Sequence, residues 1–212
     1  MFSVIFDMDG TLLDTQRICI PAWEYAGRLQ GFAGVGELIR KVCGMNEAGW
    51  SKVLEDMFVG LDLPQFKHDL HKYIDDNLVV RYKPGAVELI EFLKKNNVKI
   101  ALASGTSRKS VMHHLKEVGV EDIFETIVCG SEVENGKPAP DVFLKVAKNM
   151  GVEPGDCFVF EDSNNGARSA HSAGMRCIGV PDVVDFADDV KPLLFAQIEC
   201  LSDAIEILKE YL

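Results

Sequence analysis

The amino-terminal run Met-Phe-Ser-Val-Ile-Phe-Asp-Met-Asp-Gly-Thr sets two carboxylates, Asp7 and Asp9, one residue apart at the end of an apolar segment, with Gly10 and Thr11 directly after them. Acids at the end of a core strand are costly unless something cationic meets them. Three other stretches carry matching chemistry. Ser104-Gly105-Thr106 closes a second apolar run and leads into a helical pattern, Gly136-Lys137-Pro138 brings a lysine just ahead of another helix, and Glu161-Asp162-Ser163 ends a further apolar run with two more acids. Clustered carboxylates call for a hard divalent cation with oxygen ligands, for which Mg²⁺ is the natural candidate. A serine hydroxyl, backbone N–H groups at a helix start and a lysine ammonium make a cradle for an anion such as phosphate.

Rival motifs fail on spacing. A calcium loop counted from Asp7 wants Gly at its sixth position and Glu at its twelfth, where this chain has Leu12 and Ile18. The phosphate loop of nucleotide-binding proteins needs four residues between its glycines and Ser or Thr after its lysine. Here Gly130 and Gly136 stand further apart and Pro138 follows Lys137. His68 and His71 have i,i+3 spacing, but with no third ligand nearby they read as a solvated helix face. The Asp-rich stretch 182–189 reads as a solvated loop.

The elements that must position these residues follow from periodicity. Short apolar runs at 2–8, 98–104, 126–129, 157–161 and 175–180 are weakly alternating, as strands covered on both faces are. Between them lie helical patterns at 85–95, 109–118, 141–150 and 165–173, with Pro84 and Pro140 at starts and Gly119, Gly151 and Gly174 at stops. A last helix at 203–211 follows a candidate cap at Ser202. Strand–helix alternation implies an α/β fold with a doubly wound, Rossmann-like parallel sheet and right-handed crossovers. Such sheets bind ligands beyond the carboxyl ends of their strands, which is where all four motifs fall. Residues 16–81 break the rhythm: the pattern is helical throughout, with Ile18, Ala22, Trp23, Leu29, Leu38, Val42, Trp50, Leu54, Phe58, Leu70 and Ile74 as a candidate bundle core. The expectation is an α/β core of residues 1–15 and 82–212 carrying an inserted small α-helical cap at 16–81, with hinges near 14–15 and 82–84.

Composition bounds the rest. The chain has 212 residues, enough for one domain with an insert, and a formal net charge of −11, which argues against nucleic acid as a partner. No apolar run approaches membrane-spanning length and no basic leader precedes Asp7, so a membrane partner or secretion is not expected. The cysteines (Cys19, Cys43, Cys129, Cys157, Cys177, Cys200) form no C-x-x-C pair. They read as free thiols in a reducing, cytoplasmic setting.

Taken together, Asp-Met-Asp-Gly-Thr, the lone Ser104, Lys137-Pro-Ala-Pro-Asp and Glu161-Asp162 resemble, in order and spacing, the haloacid dehalogenase superfamily. The likeness covers the whole chain, and the helical insert is similar to that family's small cap. It looks closest to the branch of phosphoglycolate-phosphatase-like and β-phosphoglucomutase-like enzymes. The resemblance implies a Mg²⁺-dependent phosphatase of small-molecule phosphate monoesters, a sugar phosphate or similar. Asp7 would be the nucleophile that forms an aspartyl phosphate, and Asp9 the general acid and then base. Ser104, Gly105 and Lys137 would bind the phosphoryl group. Asp7, Asp9 (through its backbone carbonyl) and Asp162 would hold Mg²⁺, with Glu161 helping directly or through water. Dehalogenases of this fold lack the second aspartate, so Asp9 counts against them. The mutases carry an Arg in a Gly-x-Ser-Arg run of the cap and a cap histidine; here Gly44-Met45-Asn46-Glu47 and Cys19 stand in those places. A phosphatase is therefore the first expectation, a sugar phosphomutase the second, and a catalytically idle small-molecule-binding module the third. Candidate cap contacts are Arg17, Arg40, Lys41, Asn46 and Trp50. The chain is expected to act as a monomer or weak homo-oligomer.

Overall fold

The computed structural model describes residues 2–212. A six-stranded sheet runs through β1 (Ser3–Phe6), β2 (Lys99–Ser104), β3 (Thr126–Cys129), β4 (Cys157–Glu161), β5 (Arg176–Gly179) and β6 (Ala196–Gln197). Its spatial order is β3-β2-β1-β4-β5-β6 and every pairing is parallel. The chain winds outward from β1 in one direction and returns to wind in the other, so the strand order reverses between β1 and β4. That is the switch point at which open α/β sheets bind ligands.

Side chains alternate across the sheet with a period of two. Val4, Phe6, Ile100, Leu102, Phe158 and Phe160 fill the core on one face, under α5 (Ala86–Lys95) and α9 (Ala204–Lys209). Ile5, Ala101, Ala103, Cys157 and Val159 fill the core on the other, under α7 (Asp141–Met150) and α8 (Asn164–Ser172). α6 (Arg108–Val118) adds Val111 and Leu115 to the first face. Cys129, Cys157 and Cys177 are buried in strands and all six thiols are free. The same alternation has a consequence for the acids. Counting on from Ile5 and Val159 sends Asp7 and Glu161 to the face on which α7 lies.

The expected strands are all present, those at 126–129 and 157–161 with the expected ends and the other three with slightly tighter ones. β6, only two residues long, is not among the expected strands because so short a run carries no period. The last helix is shorter than expected: α9 starts at Ala204, after a 3₁₀ turn over Leu201–Asp203. Ser202 does not cap it; Asp203 instead accepts from the Cys200 backbone N–H at 3.1 Å. Against this turn, Gly85 with φ 77° precedes α5 directly after Pro84, whose C=O accepts from Leu201 N–H at 3.2 Å.

Between β1 and β2 the chain forms α1 (Cys19–Leu29), α2 (Ile39–Val42), α3 (Glu47–Met57) and α4 (Leu63–Asn77). These helices share an apolar cluster of their own, built around Trp23, Leu54, Phe66 and Leu70. Trp23 meets Trp50 and Phe66 edge-on, at 5.1 and 5.5 Å between ring centroids. Leu29, expected in this cluster, is exposed at the end of α1. The chain leaves and re-enters the α/β layer side by side: Asp14 N–H donates to Arg81 C=O at 2.8 Å and Lys83 N–H to Leu12 C=O at 3.0 Å. Because Phe66 is fully buried in this cluster, Phe66→Ala should lower unfolding stability by about 3–5 kcal/mol in urea denaturation. A loss below about 1 kcal/mol would contradict a packed core in the helical insert.

Candidate active site

The four motifs meet at the carboxyl edge of β1, β2 and β4. The sheet register places Phe6 beside Phe160 and Leu102, and Asp7 N–H donates to Phe160 C=O at 3.0 Å. Asp7 and Glu161 therefore emerge together on one face. Lys137 reaches them from the segment before α7, on that same face. Its ammonium donates to Asp7 Oδ1 at 2.6 Å, to Glu161 Oε1 at 2.5 Å and to Ala103 C=O at 3.2 Å, and lies 4.9 Å from the centre of the Phe143 ring. The segment is anchored upstream: the Arg108 guanidinium pairs with Glu132, and Lys145 donates to Glu132 C=O at 2.6 Å. Lys137, Asp7 and Glu161 are all buried.

Glu161 has no oxygen to spare. Lys137 takes one, and the Ser163 N–H and hydroxyl take the other at 3.0 and 2.9 Å. Its carboxylate holds the lysine and the start of α8. Asp162 differs sharply: it is 2% exposed, yet its partners are a Thr11 hydroxyl at 3.4 Å and the Cys43 thiol at 3.8 Å. Gly10, with φ +82°, lies against it so closely that any Cβ there would collide with the Asp162 carboxylate. Asp9 is half-buried and accepts from Thr15 at 2.5 Å and Thr106 at 2.7 Å, with the Ser104 hydroxyl at 3.5 Å. The Ser104 Oγ also accepts from Thr106 N–H at 3.0 Å.

Burial pushes the Asp7 carboxyl well above the usual aspartate range; Lys137 pulls it down, and Glu161 and Asp9 push it up. Burial does the same to Asp162, reinforced by Glu161 and Asp7. Lys137 resists the opposite effect of burial because Asp7 and Glu161 hold its proton above the usual lysine range. One ammonium thus faces Asp7, Glu161 and Asp162, and the buried cluster is short of positive charge. Among the described residues no three His, Cys, Asp or Glu side chains form a metal cluster by themselves. A hard divalent cation fits the donors present all the same: Asp7 and the underfilled Asp162 are oxygen ligands, and Mg²⁺ takes few carboxylates and fills its shell with backbone oxygen and water.

Beside these acids is a cavity of about 120 Å³. Asp7, Asp9, Gly105 and Thr106 form its floor, while Ser104 and Lys137 are packed behind. The helical insert supplies the opposite wall, including Gln16, Cys19, Trp23, Met45 and Trp50. The insert passes directly over the floor: a Cβ on Gly105 would stand 2.9 Å from the Met45 carbonyl oxygen. Burial and nearby Asp9 push the Cys19 thiol up to about 12, so it faces the cavity as a neutral thiol.

Of the residues singled out as cap contacts, Trp50 lines the cavity. Asn46 caps α3 by accepting from Gly49 N–H at 3.0 Å. Arg17 and Arg40 are spent elsewhere. Arg40 donates to Val183 C=O at 3.2 Å, and Arg17 pairs with Asp182 at 3.0 Å. Asp182, expected on a solvated loop, has a fully buried side chain because Lys83 also reaches it at 2.7 Å. His68 and His71 are exposed on α4. The residues not anticipated are Thr15, Thr106, Ser163 and Cys43. Thr15 and Ser163 are hydroxyls within a few positions of a motif acid and Thr106 follows Ser104 by two, a proximity that could have flagged them; nothing marks Cys43.

Residues 4–180 match the family described as haloacid dehalogenase-like hydrolase. The chain is 34% identical over the full length of both proteins to a phosphorylated carbohydrates phosphatase of Thermotoga maritima. It is 30% identical to a β-phosphoglucomutase of Bacillus subtilis, over 85% of this chain and 83% of that one. Among solved structures, a hydrolase from Pseudomonas syringae superposes with a TM-score of 0.85 over 99% of both chains at 25% identity.

Removing Lys137 would strand two buried carboxylates. Lys137→Met should cost about 3–5 kcal/mol of stability at pH 8. Without the ammonium the Asp7 pKa rises further above its unfolded value of about 3.9. A carboxyl raised in the folded state favours folding while protonated, and that contribution is lost as pH climbs through the raised pKa. The deficit of Lys137→Met relative to the parent should therefore shrink as pH falls from 8 towards 5. An equal deficit at both pH values in urea titrations would contradict this charge balance.

Proposed function

Because the chain belongs to the haloacid dehalogenase-like hydrolase family and is a phosphoric monoester hydrolase, we propose that it is a Mg²⁺-dependent phosphatase of small phosphorylated molecules, sugar phosphates or similar, working through a phosphoryl group carried on Asp7. The observation that supports this best is the buried Lys137 ammonium shared by Asp7 and Glu161 beside an underfilled Asp162, at the strand switch point and packed directly behind the cavity floor that Asp7 helps to form.

Asp7 attacks phosphorus, and its new P–O bond forms as the ester P–O bond breaks. Asp9 gives its proton to the departing alkoxide, then takes one from the water that cleaves the aspartyl phosphate, restoring the Asp7 carboxylate and releasing phosphate. The Thr15 and Thr106 hydroxyls hold Asp9 in position. Lys137, the Ser104 hydroxyl and the Gly105 backbone offset charge on the transferring group. Asp7, the Asp9 backbone carbonyl and Asp162 would hold Mg²⁺, whose charge when bound lets a carboxylate approach a phosphate. Glu161 acts by holding Lys137. The helical insert covers the reacting groups, and its movement admits substrate and releases product. No helix among the described residues is long and apolar enough to cross a membrane, and the free thiols suit a reducing, cytoplasmic setting.

A mutase is the second reading because several relatives carry that name. Against it, Glu47 occupies the stretch where a second phosphate would need a cation, and it takes Lys67 for itself at 2.7 Å. Phosphate release and sugar-phosphate isomerisation, followed together with Mg²⁺ and with chelator, separate the two. Mg²⁺-dependent release is expected, and Asp7→Asn should reduce it by about a thousandfold or more with the fold intact, since an amide is a poor nucleophile. Turnover undiminished in Asp7→Asn, or isomerisation without release, would overturn the proposal.

A further inference from the structure

The cavity beside Asp7 combines a strongly anionic floor with a wall of unusual chemistry. Trp23 and Trp50 meet edge-on in it, flanked by Val42, Met45 and the neutral Cys19 thiol. Gln16 is the one amide side chain in the lining, and among the described residues that amide has no hydrogen-bond partner. No Lys or Arg stands among the described residues that line the cavity. The cations nearest in the insert are committed elsewhere. Lys67 sits 5.1 Å over the Trp50 ring but pairs with Glu47 and lines a separate surface groove. Arg17 is held by Asp182 and Arg40 by Glu37.

We infer that this cavity is a charge filter: it accepts phosphate monoesters whose leaving alcohol is compact and uncharged, and rejects those whose leaving group carries a carboxylate or a second phosphate. The inference rests on the phosphatase reading above and specifies its substrate class. The transferring phosphoryl group meets Lys137 and the cation that Asp7 and Asp162 can hold. A second anion on the leaving group would meet carboxylates, sulfur, aromatic rings and neutral groups such as Gln16 and Thr106, but no cation. It would be stripped of water beside Asp7 and Asp9 with no opposite charge to pair with, which is strongly unfavourable. An uncharged polyol has no such handicap. Its C–H faces pack against indole rings, and one hydroxyl can use the Gln16 amide. At about 120 Å³ the cavity is small, which favours a compact group.

The test is a comparison of kcat/KM on matched esters with Mg²⁺ present: glycerol 3-phosphate against 3-phosphoglycerate, and fructose 1-phosphate against fructose 1,6-bisphosphate, with p-nitrophenyl phosphate as a general reporter of turnover. The uncharged member of each pair should be favoured about 100-fold, equivalent to about 2.8 kcal/mol at 1.4 kcal/mol per tenfold. Met45→Arg, which adds a cation to the wall, should narrow that preference at least tenfold, while Met45→Leu leaves it in place. Equal rates on both members, or preference for the anionic one, with the aryl phosphate still cleaved, would overturn the filter and leave the phosphatase standing. A folded Met45→Arg variant, shown by an unchanged melting transition, with an unaltered preference would also overturn it. Absence of turnover on every ester, the aryl phosphate included, would overturn the phosphatase reading and the filter together.

Discussion

The ammonium of Lys137, held between Asp7 and Glu161, is the interaction to which the rest of the structure is fitted. Two carboxylates can be buried side by side only if a cation is delivered between them, and a buried ion pair is tolerable only with good geometry and its remaining hydrogen bonds satisfied. The sheet provides the geometry by placing β1 next to β4 in register, so that positions in phase with Ile5 and Val159 project together. α7 and the segment before it, anchored through Glu132, bring the lysine down on that face. Ser163 fills the remaining oxygen of Glu161. Asp162, adjacent in sequence but out of phase with Glu161, is left with two long contacts. That asymmetry divides the acidic pair into one residue that holds the lysine and one whose oxygens are underfilled.

The helical insert is tied to this arrangement at several places, among them Cys43, whose thiol donates to Asp162 at 3.8 Å and whose C=O accepts from Asn165 at 2.8 Å. Its entry and exit segments are hydrogen-bonded to each other beside β1. Asp182, in the segment after β5, gathers Lys83 from the exit and Arg17 from the entry. Arg40 and Val183 extend the same contact into the insert. The Arg17 and Arg40 side chains are exposed and such contacts are of modest worth, whereas the buried Lys137 ammonium bonds only to residues outside the insert.

Much of this was legible in the sequence because each motif ends an apolar run, and in a parallel sheet strand ends converge. The strands, the long helices of the sheet layers and the helical character of the insert follow from period and punctuation. The different fates of Glu161 and Asp162 were also within reach, since strand alternation assigns them to opposite phases, but that requires knowing that Glu161 is the last residue in register. β6 was hidden because two residues carry no pattern. Asp182 looked solvated because its partners, Lys83 and Arg17, are far from it along the chain. The chemistry of the cavity wall was least legible: which faces of α1 and α3 turn towards Asp7 depends on how the insert packs, and helical period alone does not set that.

The central claim is that Asp7, steadied by Lys137, accepts the phosphoryl group covalently. The most direct measurement is acid quenching of the Asp9→Asn variant during turnover of a cleaved ester, followed by peptide mass analysis. Slowing the second step in this way should leave the phosphoryl group on the peptide carrying Asp7, and specifically on its carboxylate. A phosphoryl group on any other residue would contradict the claim.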